Sequence, residues 1–187
     1  MPDFPVSPIV CRSVLVLGGA RSGKSRYALE LAERTAPQRL FIATAAADDE
    51  DMAKRIARHR AERGDGWTTL ETKRDLNGAL KNTREGSVAL VDCLTLWLAN
   101  LAFAGDDIEA EIERLCDGVA ALGGPVIFVS NEVGLGIVPE TPLGRDFRDW
   151  QGRLNQRMAA ACDAVVFIAA GLPIALKPAP APTFTLR

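Results

Sequence analysis

The chain has 187 residues, 22 Lys and Arg against 24 Asp and Glu, a formal net charge of −2, 48% apolar residues, four Cys and a single His. That length suits one domain over residues 1–187, able to bury about two thirds of its unfolded surface without disulfides. The near-neutral charge excludes the electrostatic footprint of a nucleic-acid binder or a peripheral membrane protein, and one imidazole excludes two-His metal sites, so any His chemistry falls on His59.

The N-terminal MPDFPVSPIV carries Asp3 where an export signal carries positive charge and is broken by Pro2, Pro5 and Pro8. It reads as an extended lead-in over about residues 1–12. No apolar run approaches the roughly 20 residues of a membrane span, so a soluble, cytoplasmic protein is expected. Val14 to Leu17, stopped by Gly18 and Gly19, predicts a strand buried on both faces. A helix follows from about Ser25 to Ala36, ended by Pro37, and Leu40 to Ala43 reads as a second strand. Asp48 to Glu50 open a helix predicted to reach about Arg63 and stop at Gly64. Asp75 to Lys81 is a short helical candidate, and Ser87 to Val91 a third strand, followed by Asp92. Leu94 to Phe103 and Ile108 to Leu122 are helical by periodicity, parted by the turn at Gly105, Asp106 and Asp107. Val126 to Ser130 is the fourth strand. From Thr141 to Ala161, the residues Leu143, Phe147, Trp150, Leu154 and Met158 recur on one helical face. Ala164 to Ala169 is expected to be the last strand, with a loose Pro-rich tail from about Pro178. Short apolar strands alternating with helices imply a parallel α/β sheet that binds ligands at the carboxyl ends of its strands. Cys11, Cys93, Cys116 and Cys162 form no CxxC pair and read as buried free thiols.

Gly18, Gly19, Ala20, Arg21, Ser22, Gly23, Lys24 and Ser25 match GxxxxGK[ST] between a predicted strand and a predicted helix. Such a loop points successive N–H groups inward beneath a helix N-terminus and so cradles a polyphosphate; without that context it would be a Gly-rich turn with a chance Lys-Ser. Lys24 would reach the β and γ phosphates, and Ser25 would offer its hydroxyl to Mg²⁺. Asp92, just past the third strand, stands where the second acid of a phosphate-loop protein holds the metal directly or through water. It can equally cap the helix from Leu94, and the two roles are compatible.

Arg55, His59 and Arg63 recur every four residues and share one face of the predicted helix, with Arg58 and Arg60 beside the His in sequence. Flanking guanidiniums keep an imidazole neutral and nucleophilic while attracting a polyphosphate. Taken alone, the same pattern also describes a solvated His on a polar helix. Thr72, Lys73, Arg74 and Asp75 imitate a guanine-reading [NT]KxD motif but precede the Asp92 strand, so they read as a helix start. Asn131 to Pro139, after the fourth strand, offers polar side chains at the ligand edge and could serve a substrate, a metal or simply the connection.

Together, GGARSGKS from Gly18, FIAT from Phe41, RIARHRAER from Arg55, DCLTLWLAN from Asp92 and SNEVGLGIVPE from Ser130, then GRLNQRMA, resemble one family. It is the bifunctional adenosylcobinamide kinase and adenosylcobinamide-phosphate guanylyltransferase of cobalamin biosynthesis, matched in order from about Val14 to about Ala170. The resemblance implies a RecA-like phosphate-loop NTPase fold, an α/β mostly parallel sheet flanked by helices, in a homo-oligomer, expectedly a trimer. It implies a corrinoid substrate, adenosylcobinamide, with ATP, GTP and Mg²⁺, and neither nucleic acid nor a membrane as partner. It further implies that a nucleoside triphosphate phosphorylates the aminopropanol hydroxyl, and that GMP then passes from GTP through a guanylylated His to the new phosphate. His59 is the residue available for that step; some relatives carry a second His where this chain has Arg58. Thr44, Ala45, Ala46, Arg60, Ala61, Glu62, Arg63, Glu71 and Asp92 fall at positions that contact the guanine nucleotide in the family. Asp92 and Glu132 are candidates by placement for the base that deprotonates the acceptor hydroxyl, and the phosphate loop reads phosphates rather than bases, so it does not separate ATP from GTP as donor. Two alternatives stay open: a simple phosphate-loop kinase in which His59 is a surface residue, and a non-catalytic nucleotide-dependent regulator or nucleic-acid motor, against which the near-neutral charge weighs.

Overall fold

The structure is a computed structural model and describes residues 10–45 and 64–179. The elements in chain order are β1 (Ser13–Gly18), α1 (Lys24–Thr35), β2 (Gln38–Ala43), β3 (Trp67–Glu71), α2 (Leu76–Leu80), β4 (Ser87–Asp92), α3 (Leu94–Ala104), α4 (Ile108–Val119), β5 (Val126–Asn131), α5 (Pro142–Ala161), β6 (Ala164–Ala169) and β7 (Leu172–Lys177). The strands form a seven-stranded sheet in the order β3-β2-β4-β5-β1-β6-β7. All neighbours pair in parallel except β6 and β7, which are antiparallel. The predicted helix ending near Arg63, most of the N-terminal lead-in and the tail beyond residue 179 lie outside the described residues.

Alternation along the strands divides the core into two layers. In β4, Val88 and Leu90 point to the face covered by Ala28 and Ala32 of α1, where Val16, Ile127 and Val129 join them. Ala89 and Val91 point to the opposite face, against Leu94, Trp97 and Leu98 of α3, with Leu115 of α4 and Leu154 and Met158 of α5 in the same layer. Burying a side chain as large as Phe128, which is fully enclosed, stabilises by about 2–3 kcal/mol. Because the central strands are covered on both faces, they read as continuous apolar runs, and that made them visible in sequence.

Two strands depart from the expected pattern. WTTLE forms β3 at one edge of the sheet, where only Trp67 and Leu70 are half-buried. Trp67 is held edge-on against Phe41 at 6.1 Å and lies under the Arg39 guanidinium at 5.6 Å. The expectation that Ala164 to Ala169 is the last strand is also overturned, since the chain turns at Ala170 and Gly171 and returns as β7. Both turn residues have positive φ, 51° and 80°, and Pro173 is tolerated because β7 is an edge strand.

The predicted apolar face of α5 is buried at Leu154 and Met158 and partly buried at Phe147 and Trp150, but Leu143 in its first turn is 53% exposed. Cys93 and Cys162 are buried free thiols, as expected. Cys11 and Cys116 are half-buried rather than buried, the former preceding β1 and the latter lying beside Met158 Sδ at 3.7 Å. Among the described residues no helix is long and apolar enough to cross a membrane.

Candidate active site

The carboxyl ends of the strands bring several of the described sequence-predicted residues to one edge. Register places Ala43 opposite both Glu71 and Asp92, Asp92 opposite Val129, and Gly18 between Asn131 and Ile168. Glu71, Asp92 and the 18–25 loop therefore share the edge at which parallel α/β sheets bind ligands.

Gly18 ends β1. A Cβ there would lie 2.5 Å from Ser22 Oγ and 2.7 Å from the Ile168 carbonyl oxygen, so a side chain would force the loop off the end of β6. The Ser22 N–H donates to the Gly19 carbonyl at 3.3 Å, and the Gly171 N–H donates to the Ser22 carbonyl at 2.9 Å. Gly23, at φ 97° and ψ 3°, turns the chain into α1 through a left-handed conformation that favours Gly. The helix starts with no side-chain cap and no acid in its first turn, leaving N–H groups and the positive end of the dipole for an anion. Lys24 is buried and folds back across the loop, its Nζ donating to the Gly19 carbonyl at 3.0 Å. Ser22 Oγ is buried and has no hydrogen-bond partner among the described residues, as suits a hydroxyl waiting for a phosphate oxygen.

Asp92, half-buried, ends β4. Burial, then the negative charge of Asp92, push the neighbouring Cys93 thiol up to about 11, with the Lys24 ammonium acting in the opposite direction. One buried thiol thus lies within electrostatic reach of both charged groups of the site. The Ser25 hydroxyl, half-buried in the first turn of α1, and the Asp92 carboxylate are hard oxygen donors beside a phosphate cradle. That donor set fits Mg²⁺, which takes few protein ligands and completes its shell with water and phosphate.

Thr44, directly after β2, is fully buried. Its Oγ1 accepts from the Cys93 N–H at 2.8 Å and donates to the Cys93 carbonyl at 2.7 Å. Asn100 Nδ2 of α3 donates to the carbonyls of Thr44, at 2.9 Å, and of Lys73, at 3.0 Å. Trp97 Nε1 donates to the Arg74 carbonyl at 2.8 Å. The Thr72 to Asp75 segment is the helix start that was expected, with Asp75 accepting from the Gly78 N–H at 2.8 Å to cap α2. Ala45 is half-buried beside Thr44, and Glu71 is exposed at the end of β3. His59, Ala46, Arg60, Ala61, Glu62 and Arg63 lie outside the described residues.

The loop after β5 is tied to the same edge. The Glu132 N–H donates to the Gly18 carbonyl at 3.1 Å, and Glu132 Oε1 accepts from the Gly134 N–H at 2.6 Å. Behind it sits a buried polar network absent from the sequence reading. Gln151 Nε2 donates to Ser130 Oγ and to Asn155 Oδ1, both at 3.0 Å, and Ser130 Oγ donates to Asn155 Oδ1 at 2.8 Å. Asn155 Nδ2 donates to the Asn131 carbonyl at 3.0 Å. The signal available in sequence was two carboxamides four residues apart on α5, flanking Leu154. A cleft of about 530 Å³ opens between α5, the end of β1 and β7, with Leu17, Glu132, Leu135, Asn155 and Leu176 in its walls.

Comparison with known proteins matches residues 14–176 to the family described as cobinamide kinase / cobinamide phosphate guanyltransferase. The bifunctional adenosylcobalamin biosynthesis protein CobP of Pseudomonas aeruginosa is 47% identical over 169 residues, covering 89% of this chain and 98% of that protein. The bifunctional adenosylcobalamin biosynthesis proteins CobU of Salmonella typhimurium and Escherichia coli are 40% and 39% identical over 180 residues, each covering 88% of this chain and 99% of the relative. Among solved structures, the type III secretion ATPase EscN of enteropathogenic E. coli superposes with a TM-score of 0.58 at 9% identity, over 86% of this chain and 43% of that chain. A prototypical ATPase from the type III secretion system of pathogenic bacteria does so equally, at 0.58 and 9%, over 88% and 56%. At that identity the likeness shows the fold alone, that of phosphate-loop ATPases with a mostly parallel sheet flanked by helices. With the family pattern spanning residues 14–176 and relatives 39–47% identical over almost their full length, the chain belongs to the cobinamide kinase / cobinamide phosphate guanyltransferase family.

Proposed function

We propose that this chain is a bifunctional transferase that phosphorylates the aminopropanol hydroxyl of adenosylcobinamide and then transfers GMP from GTP to the new phosphate. The observation that carries the reading is the phosphate cradle of Gly18 to Ser25, with Lys24 folded across it and Asp92 on the same sheet edge, in a chain of this family. In the first reaction the acceptor hydroxyl attacks the γ-phosphorus of ATP or GTP, the bond to the β-phosphate oxygen breaks, and the nucleoside diphosphate leaves. Lys24 and the amides at the start of α1 stabilise the charge that develops on the transferring group and the leaving phosphate. Ser25 and Asp92 would hold Mg²⁺, which when bound neutralises phosphate charge. The hydroxyl proton passes to a carboxylate at the same edge, Asp92 or Glu132 by placement.

In the second reaction an imidazole nitrogen of His59 attacks the α-phosphorus of GTP and pyrophosphate leaves. A phosphate oxygen of adenosylcobinamide phosphate then attacks the guanylylated His59, breaking the P–N bond, restoring the imidazole and giving adenosylcobinamide-GDP. His59 is the one His of the chain, and Arg55 and Arg63 stand four residues from it on either side in sequence. The reading includes a cytoplasmic homo-oligomer, a trimer by family resemblance. Mass spectrometry of products from adenosylcobinamide incubated with ATP and GTP tests it. Adenosylcobinamide phosphate followed by adenosylcobinamide-GDP is expected; phosphate that accumulates without the GDP form would leave a simple kinase instead.

A further inference from the structure

Family resemblance assigns Thr44 to nucleotide contact, yet its side chain is committed elsewhere. The hydroxyl has one proton to give, and it goes to the Cys93 carbonyl at 2.7 Å, while the same oxygen accepts from the Cys93 N–H at 2.8 Å. The Thr44 backbone N–H lies 3.4 Å from the Asp92 carbonyl. All of this is closed off from solvent, since Thr44 is 0% exposed and Cys93 7%. Cys93 is the N-cap residue of α3 and has extended φ and ψ; its carbonyl accepts the first bond of the helix, from the Trp97 N–H at 3.2 Å, while its N–H precedes the helix. A buried backbone donor at such a junction needs a partner, and the Thr44 hydroxyl supplies it while giving the Cys93 carbonyl a second donor. The residue that this clamp fixes is the one next to Asp92. Thr44 is itself held from α3 by Asn100 Nδ2, which also grips the carbonyl of Lys73, so the ends of β2, β3 and β4 are tied through one pair of side chains.

We propose that Thr44 is a positioning residue for Asp92: its hydroxyl sets the direction in which the Asp92 carboxylate leaves the end of β4 toward the phosphate loop. The proposal rests on the reading of Asp92 as a metal ligand. Side-chain direction at this point matters because a ligand displaced by about 1 Å can lose on the order of 100-fold in rate, while the clamp itself touches neither phosphate nor acceptor.

The test separates the two claims by binding as well as by turnover. Affinity for GDP is measured by calorimetry with and without Mg²⁺, beside kcat and KM of the kinase step and the thermal midpoint, for the native chain and for Thr44→Val, Thr44→Ala, Thr44→Ser and Asp92→Asn. All are measured well below each variant's midpoint. In the native chain and in Thr44→Ser, Mg²⁺ is expected to tighten GDP binding. In Thr44→Val that tightening falls by about fivefold or more and kcat falls by about 10-fold or more, with KM for the Mg²⁺-nucleotide rising as its binding weakens. Thr44→Ala, in which a water can take the place of the hydroxyl, falls between, and it decides the matter should Thr44→Val not fold. Asp92→Asn loses the Mg²⁺ effect, and adding Thr44→Val to it produces no further loss. An Asp92→Asn variant that keeps the Mg²⁺ effect would overturn the metal reading. If Asp92→Asn loses it while folded Thr44→Val and Thr44→Ala keep it, the positioning role is overturned and the metal reading stands. Loss in Thr44→Ser as large as in Thr44→Val, or full additivity in the double variant, would also overturn the positioning role.

Discussion

The Glu132 N–H donates to the Gly18 carbonyl at 3.1 Å, joining the first residue after β5 to the first residue of the phosphate loop. This bond continues the pairing of β5 with β1 one step beyond the sheet, where register leaves Gly18 opposite Asn131. Any shift of the β5 end is therefore felt by the 18–25 loop. Three side chains packed behind that end, Ser130, Gln151 and Asn155, hold it in place, and Thr95 Oγ1 of α3 accepts from the Asn131 N–H at 2.9 Å.

Glycines in the phosphate loop are expected to separate by mechanism. Gly18→Ala pushes a Cβ into Ser22 Oγ and the Ile168 carbonyl, so it lowers stability by about 1–3 kcal/mol and with it nucleotide affinity. A Cβ at Gly19 meets nothing within 4 Å, so Gly19→Ala keeps the native thermal midpoint and weakens only nucleotide binding, where the backbone must approach phosphate. Thermal melts with and without nucleotide triphosphate distinguish the two.

Lys24→Ala removes the ammonium folded across the loop at 3.0 Å from the Gly19 carbonyl. A loss of about 100-fold or more in kinase kcat/KM is expected, as for other charge-stabilising donors. Steady-state kinetics with adenosylcobinamide and ATP check this.

Truncating Asn155 strands the Asn131 carbonyl and removes the acceptor shared by Ser130 and Gln151. Asn155→Ala should cost about 2–3 kcal/mol in urea unfolding, because the network is buried and the Ser130 hydroxyl loses its acceptor and the Asn131 carbonyl its side-chain donor. Replacing exposed Gln156, the next residue, with Ala should cost less than about 0.5 kcal/mol.

How much of this was legible in sequence follows from where each interaction's partners lie. The phosphate loop is local, eight consecutive residues whose spacing alone dictates the turn into a helix, and Asp92 follows from ending an apolar run. The central strands were legible because both faces are covered. β3 and β7 were not: the first alternates weakly at an edge, and the second presents Leu172, Ile174 and Leu176 to solvent at 50% or more exposure around a Pro. Thr44 was named as a nucleotide contact, but its bond to Cys93 spans 49 positions and carries no local pattern. Gln151 and Asn155 were hidden for the opposite reason, since carboxamides on an amphipathic helix read as solvent-facing until the fold buries them.

Acid sensitivity has an identified source at the amino end of the sheet. The Asp163 carboxylate accepts from the Arg12 N–H at 2.8 Å and from the Ser13 N–H at 3.0 Å, and these bonds, the Arg12 one foremost, hold its pKa below the usual carboxylate value. A depressed folded pKa stabilises the protein fully above the unfolded value near 3.9 and ceases to do so as pH falls through the folded one. Asp163→Asn should therefore be less stable than the native chain at pH 6, with the difference closing below about pH 4. Urea melts across that range measure it.

The guanylyl-transfer step sets this reading apart from an ordinary phosphate-loop kinase, and it runs through one residue. Incubation with GTP labelled at the α-phosphate, followed by denaturation and separation of protein from nucleotide, tests it most directly. An acid-labile, base-stable labelled adduct is expected on the native chain and not on His59→Ala, while the variant still phosphorylates adenosylcobinamide. Absence of any adduct under turnover conditions, or equal labelling of His59→Ala, would contradict the account.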